Sequence, residues 1–171
     1  TCIWMADATN VLHKFACQCA EEALRGETEA GREPDVRLWD AISAKKQWLA
    51  GRISAAQLGD AMVHVRRAYL EKLKARGIRD ADADCARDAA FESVSQACRK
   101  QSWEGANMAS REAARAMSWE ANRKGGGAVA TIWSPTHEWE FCWEAARRAQ
   151  NSKLTDMLMK LSPAGEGGRK E

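Results

Sequence analysis

Cysteine and histidine are the residues of this sequence that could most readily bind a metal or act as nucleophiles. Cys17 and Cys19 are the closest cysteine pair, but side chains two residues apart on a helix point about 200° away from each other. They cannot share one ion, and no second cysteine pair with zinc spacing follows. The spacing therefore favours reduced thiols, with Cys19 in the core of a helix, over a metal or redox site.

The three histidines, His13, His64 and His137, occur singly, without the His-x-x-x-His or His-Glu-x-x-His spacing of a helical metal site. We expect them at surface or interface positions, and a metal site assembled from separate helices is the alternative. Gly125–Gly127 lacks the Lys-Ser/Thr that follows in a phosphate loop, so it predicts a linker. No Gly-x-Ser-x-Gly elbow occurs, and no carboxylate pair stands out. The sequence thus predicts neither an enzyme nor a bound cofactor.

Tryptophan is unusually frequent, with eight residues against one tyrosine. Trp133, Trp139 and Trp143 cluster at the last predicted helix, where Trp139 and Trp143 are four residues apart on one face. Together with His137 they could form a surface for a partner protein, since tryptophan is common among the residues that dominate binding energy. Core packing is the favoured alternative, because the many alanines leave space for large aromatic side chains.

Helix-forming residues dominate the chain, which contains 32 alanines and only three prolines. Apolar spacing and capping residues predict an all-α fold, a single compact bundle of about six helices within residues 7–161. Asp35 is expected to cap the second helix, and Ser54 with Gln57 forms a capping box for the third. The helices are predicted at residues 7–25, 34–51, 54–76, 80–122 (two helices, or one kinked helix) and 134–161, with a polar loop at 26–33.

Residues 80–122 carry two stripes of small side chains at helical spacing, with Gly105 between them as a sign of a break or kink. Small residues on facing helices permit close approach, so the stripes predict an antiparallel, alanine-rich pair at the centre of the bundle. The first stripe is Ala83, Ala86, Ala90, Val94 and Ala97, and the second is Ala106, Ala109, Ala113 and Met117.

The 26 basic and 24 acidic residues are interleaved along the chain, which disfavours a nucleic-acid or membrane partner. No segment approaches the roughly 20 apolar residues that span a bilayer, and no secretory signal pattern occurs, so we expect a cytoplasmic protein. Residues 1–4 precede Met5, which resembles the first residue of a bacterial protein. We interpret residues 1–6 as a non-native or disordered extension. Residues 162–171 are rich in glycine and charge and predict a disordered tail.

Four segments, taken in order, resemble the start of a family of helical immunity proteins from bacterial toxin–immunity loci, phages and plasmids. They are Phe15–Glu21, Pro34–Arg37, Ala41–Ala44 and Trp48–Gly51, and the alanine-rich Asp82–Ala121 resembles the later helices of that family. The resemblance spans residues 11–122 and implies a non-enzymatic helical protein that binds and neutralises a partner protein. The alternative is a phage or mobile-element accessory protein that binds nucleic acid through three basic pairs on helices. These pairs are Arg66-Arg67, Arg99-Lys100 and Arg147-Arg148.

Overall fold

The computed structural model describes residues 7–74, 81–124 and 137–161, and it describes the side chains of 7–74, 85–121 and 143–161. Across these ranges the chain forms six helices and no strand, which confirms the predicted all-α bundle. Residues 1–6 and 162–171 lie outside the described residues. The helices are α1 (Thr9–Glu29), α2 (Val36–Leu49), α3 (Ala55–Lys74), α4 (Ala81–Ala97), α5 (Ser102–Lys124) and α6 (His137–Met159).

The first helix runs about one turn beyond its predicted end, because Gly26 lies inside α1. The loop predicted at 26–33 is therefore wrong in its first part. The chain leaves the helix at Gly31, whose φ of 74° lies in the left-handed region that favours glycine. Backbone N–H groups of Gly31 and Arg32 donate to carbonyls of the last helical turn, which closes the C-terminal end of α1.

Both predicted helix caps are confirmed. The Asp35 carboxylate accepts from the backbone N–H of Arg37 at 3.0 Å. The Ser54 N–H donates to Gln57 Oε1 at 2.8 Å, and the Gln57 N–H donates to Ser54 Oγ at 3.2 Å, which is a reciprocal capping box. The Arg37 guanidinium also reaches Glu71 of α3 at 2.7 Å, so the start of α2 lies beside the end of α3. These contacts fix α2 and α3 as an antiparallel hairpin.

The alanine-rich helices α4 and α5 make the most extensive contact between any two helices of the described chain, and α1 packs against both. The Ser93 hydroxyl of α4 donates to the carbonyl of Ala109 of α5 at 2.8 Å, as an antiparallel arrangement requires. The predicted central pair is therefore confirmed for the residues whose side chains are described. Buried members of the two stripes are Ala86, Ala90, Val94, Ala97, Ala106, Ala109 and Ala113.

The break between α4 and α5 falls at residues 98–101, so the kinked-helix alternative is wrong. Gly105 lies in the first turn of α5, against the end of α4. A Cβ atom added to Gly105 would lie 2.9 Å from the backbone carbonyl oxygen of Gln96, which is closer than Cβ atoms normally approach other atoms. Gly105 therefore permits the close approach of the two helices.

A buried arginine joins the loop after α1 to two helices. Arg32 donates to both carboxylate oxygens of Glu27, at 2.8 and 2.7 Å, and to Glu120 of α5 at 2.8 Å. All three side chains are almost fully buried. Removing Arg32 would leave two carboxylates away from water without their cation, so this network holds the end of α1 against α5.

We expect Gly105→Ala to lower the free energy of unfolding by about 1–3 kcal/mol, because the added methyl group must displace backbone of α4. Gly59→Ala is the matched control: a Cβ atom at Gly59 of α3 meets no atom within 4 Å, and alanine is favoured in helices by roughly 1 kcal/mol. Urea unfolding, monitored by circular dichroism, measures the free energy of unfolding of both variants. Equal effects of the two substitutions would contradict the close approach at Gly105.

Candidate functional site on helix α3

The predicted partner surface at the start of α6 is only partly covered by the structure. Trp133 lies outside the described residues, and so do the side chains of His137 and Trp139. Trp143 is half-buried, and the guanidinium carbon of Arg147 lies 5.9 Å from the centre of its ring. The described part therefore brings no tryptophan cluster together, and the proposal of a tryptophan surface stays a prediction.

Helix α3 shows an exposed apolar face that sequence reasoning missed. The helix buries Leu58, Val65 and Ala68, and it packs mainly against α2. On its other side Val63 is 65% exposed and Leu70 is 49% exposed. Isolated apolar residues on a surface are normal, but aligned ones on a single helix often mark an interaction site. The outer face of α3 is therefore the first candidate for a binding surface.

The exposed residues of α3 follow the spacing of a helix–helix interface. Six exposed positions are separated alternately by three and four residues, which is the a and d pattern of a heptad repeat. We call them the outer stripe: Ala56, Gly59, Val63, Arg66, Leu70 and Leu73. Spacing of this kind occurs where two helices pack lengthwise, and no described helix of this chain covers the outer stripe.

A groove of about 410 Å³ lies between α3 and α4, beside the middle of the outer stripe at Val63 and Arg66. Its floor contains Tyr69 and Phe91, whose ring centres are 4.9 Å apart and whose planes are tilted by 37°. Few other residues join the two helices, because α3 contacts α4 far less than it contacts α2. The remaining lining residues are Met62, Val63, Val65 and Arg66 of α3, with Glu92 and Ser95 of α4.

Half of the acidic and basic side chains of α3 are paired with other described residues. Arg67 bonds Glu71 at 3.1 Å, and Lys72 bonds Asp88 of α4 at 2.9 Å. Arg66, which is exposed at the edge of the groove, makes no ion pair with any described residue. The groove therefore combines an apolar floor with two charged side chains, Arg66 and Glu92, and neither makes an ion pair with a described residue.

The three basic pairs of the sequence do not form one continuous surface. They lie on three different helices or helix ends, and one arginine of each pair meets a carboxylate or a polar group nearby. These contacts are Arg67 to Glu71, Arg99 to Glu104 at 3.4 Å and Arg148 to Glu144 at 2.7 Å. Local neutralisation of this kind weakens the case for phosphate binding.

A second cluster of reactive residue types is buried where α1, α2 and α4 meet. Lys45 is fully buried, and its ammonium group donates to the backbone carbonyl of Arg99 just beyond α4 at 2.6 Å. The same ammonium lies 4.2 Å from the ring centre of Trp48. Burial lowers the pKa of Lys45, since the charged form loses contact with water. Lys45 of α2 thus supplies a hydrogen-bond donor to a backbone carbonyl just beyond the C-terminal end of α4.

The cysteines around this cluster are poor nucleophiles. Burial raises the pKa of Cys17 to about 11 and that of Cys98 to about 12, and it raises the pKa of Cys19 to about 12 as well. A thiol with such a pKa is protonated at neutral pH and reacts slowly. Cys17, Cys19 and Cys98 are free thiols in the described part of the chain. Within the described part, no three His, Cys, Asp or Glu side chains are grouped to hold a metal ion.

His13 corrects one expectation, because it is buried and not at the surface. Its ring meets the ring of Trp48 edge to face, with 5.6 Å between centres. Burial, and secondly the charge of Lys45, lowers the pKa of His13 to about 4. His13 is therefore neutral in the folded protein at neutral pH and acts as a core aromatic residue.

Comparisons with protein-family models, with curated proteins and with solved structures found no match to this chain. These comparisons therefore neither support nor oppose the resemblance to immunity proteins. Among the described helices, none is both long and apolar enough to cross a membrane.

Replacing Lys45 with alanine should destabilise the fold by about 3 kcal/mol, because it opens a cavity and leaves the Arg99 carbonyl without its donor. Lys46→Ala is the matched control on the same helix, since Lys46 is exposed and pairs with Glu21 at the surface. Its cost should stay within about 1 kcal/mol. Chemical unfolding measures the free energy of unfolding of both variants. Equal losses in the two variants would contradict this role of Lys45.

Stability should also depend on pH through His13. The unfolded histidine takes up a proton near pH 6.5 and the folded one only near pH 4, so the unfolded state binds more protons between these values. The free energy of unfolding should therefore fall as pH falls from 6.5 to 4, and His13→Gln should flatten that fall. His64→Gln, at an exposed position of α3, is the control expected to keep the wild-type curve.

Proposed function

We propose that the protein is a non-enzymatic helical module that binds a partner protein through the outer face of α3. The outer stripe is the observation that carries this proposal, because a heptad-spaced row of exposed residues on a helix suits lengthwise packing against another helix. The resemblance to immunity proteins supports a further step, in which binding neutralises the partner. Neutralisation then needs no chemistry, only occlusion of a surface that the partner uses.

The described residues offer little in favour of a catalytic role. Buried thiols with raised pKa values and a buried lysine are suited to packing, and they are closed off from a substrate. The outer stripe, by contrast, is accessible along its whole length. A role in binding uses features that are exposed, whereas Lys45 and the three thiols with raised pKa values are buried.

Site-specific photo-crosslinking in the native host tests the binding surface. A photoreactive residue at Val63 or Leu70 should capture one protein, identified by mass spectrometry. Met159 is the matched control, because it is 62% exposed and apolar but lies on α6. Capture of nucleic acid at Val63 would favour the accessory-protein alternative, and identical adducts at all three positions would contradict a specific α3 surface.

The captured protein is then purified and its affinity is measured. We expect Val63→Asp with Leu70→Asp to weaken binding by at least tenfold, or about 1.4 kcal/mol, since both charges would be buried at the interface. Met159→Asp should leave the affinity within about twofold. If the partner is a toxin, the double variant should also lose protection in a growth assay, whereas a fully protective double variant would refute neutralisation through α3.

A further inference from the structure

We infer that the outer stripe binds a second copy of this chain in antiparallel orientation, so that α3 is covered until another protein displaces that copy. The dimer goes beyond the proposed function, because it needs no other partner. Only the displacement rests on the proposed function. Residue sizes along the stripe and charges beside it carry the inference.

The sizes of the six stripe residues make the stripe complementary to its own reverse. From the first position to the last, the stripe consists of Ala56, Gly59, Val63, Arg66, Leu70 and Leu73. In an antiparallel pair whose twofold axis passes between Val63 and Arg66, the first position meets the sixth, the second the fifth and the third the fourth. Each smaller residue then meets a larger one, which is how facing layers interdigitate. The paired segments are about 26 Å long.

Gly59 has no explanation within the chain itself. Glycine is unfavourable inside a helix, yet a Cβ atom at Gly59 would meet no atom of this chain within 4 Å. Gly105, by contrast, is required by the close approach of α4. In the antiparallel pair, Gly59 lies opposite Leu70 of the second copy. A position without a side chain lets that leucine approach the α3 backbone, which supplies the missing reason for glycine.

Charges on both sides of the stripe are complementary in the same register. On one side, Asp60 lies about 3 Å along the axis from Arg67 of the second copy, and Asp60 has no ion pair with a described residue. On the other side lies the groove, where each copy contributes Arg66 and Glu92, both without an ion pair in the described chain. Two copies therefore bring two positive and two negative side chains together, and opposite charges across an interface fix its register.

Other arrangements of two α3 helices lack this match. Shifting the antiparallel pair by one heptad, so that Arg66 meets Leu70, sets Arg67 beside its own copy and places Gly59 beyond the described end of α3. A parallel pair sets Arg66 beside Arg66 and Gly59 beside Gly59. Like charges facing each other are destabilising, and two facing glycines leave a gap. A foreign protein, for its part, does not require the stripe to match its own reverse.

Exchanging the large and small residues tests the register. Sedimentation equilibrium of the full chain, at concentrations up to about 1 mM, should show monomer and dimer in equilibrium. Gly59→Leu should weaken the dimer at least tenfold, because the added side chain occupies the space of Leu70, and adding Leu70→Ala should recover most of that loss. Ser43→Leu, at an exposed position of α2, is the control and should keep the dissociation constant within about twofold. Circular dichroism checks that every variant folds.

Charge variants test the register independently. Asp60→Lys alone and Arg67→Glu alone each set like charges against each other, so each should weaken its own dimer about tenfold. A mixture of the two variants should form a mixed dimer about tenfold more tightly than either variant alone, because every facing pair is then of opposite charge. Asp40→Lys, at an exposed position of α2, makes the same change in net charge as Asp60→Lys and should leave the dimer intact.

Several outcomes would overturn the inference. A chain that stays monomeric up to about 1 mM is one of them. A dimer that Gly59→Leu leaves intact is another, and so are charge variants whose mixture dimerises no better than each alone. A photo-crosslink from Val63 to another segment of the same monomeric chain would show that the chain itself covers the stripe.

The dimer and the proposed function can fail separately. A host protein that is captured at Val63 by a chain that is always monomeric overturns the dimer and leaves the proposed function standing. A dimer that passes both tests, with no other host protein captured, supports the inference and refutes the proposed function. Where both form, the purified host protein should dissociate the dimer, and a complex that retains the intact dimer would overturn their shared use of α3.

Discussion

Small side chains set the distances between the helices of this protein, and much of its architecture follows from that constraint. Alanine is the most frequent residue among the buried hydrophobic side chains, and Gly105 allows the start of α5 to approach the end of α4. Close helices gain dispersion contacts along their length, but they leave little depth for large apolar residues. The core is therefore built mostly from small side chains, and few large apolar residues are fully buried.

Two long cationic side chains are buried among these small residues. Lys45 reaches the carbonyl of Arg99 after the end of α4, and Arg32 bridges Glu27 and Glu120 between α1 and α5. Each long side chain fills space with its methylene groups and satisfies polar groups at its end. Such arrangements add limited net stability compared with apolar packing, but breaking them is costly. They hold helix ends in place where alanine contacts are absent.

Local signals in the sequence were sufficient to predict the two helix caps and the central pair of helices, α4 and α5. Asp35 and Ser54 act through residues two or three positions away, so their roles are visible without the fold. The burial of His13 and Lys45 depends on helices distant in sequence, and the passage of α1 through Gly26 carries no local mark. These features could not be predicted because tertiary contacts decide them.

The outer stripe was visible in principle and still escaped prediction. Helix α3 has apolar residues on two sides, since Leu58 and Val65 face the bundle while Val63 and Leu70 face water. Periodicity reveals both rows, but it does not say which one the chain covers. The tryptophan count favoured the last helix instead, where Trp143 is the one residue of the four proposed whose side chain the structure describes.

The separation of the outer stripe from the core has an evolutionary consequence. Substitutions at exposed positions usually change the free energy of unfolding by less than about 0.5 kcal/mol, whereas those in a tightly packed alanine core cost more. Under the proposed function, mutations that alter what α3 recognises would therefore accumulate with little loss of folded protein. Such a module would follow a changing partner, because the residues proposed to select the partner are not those that hold the helices together.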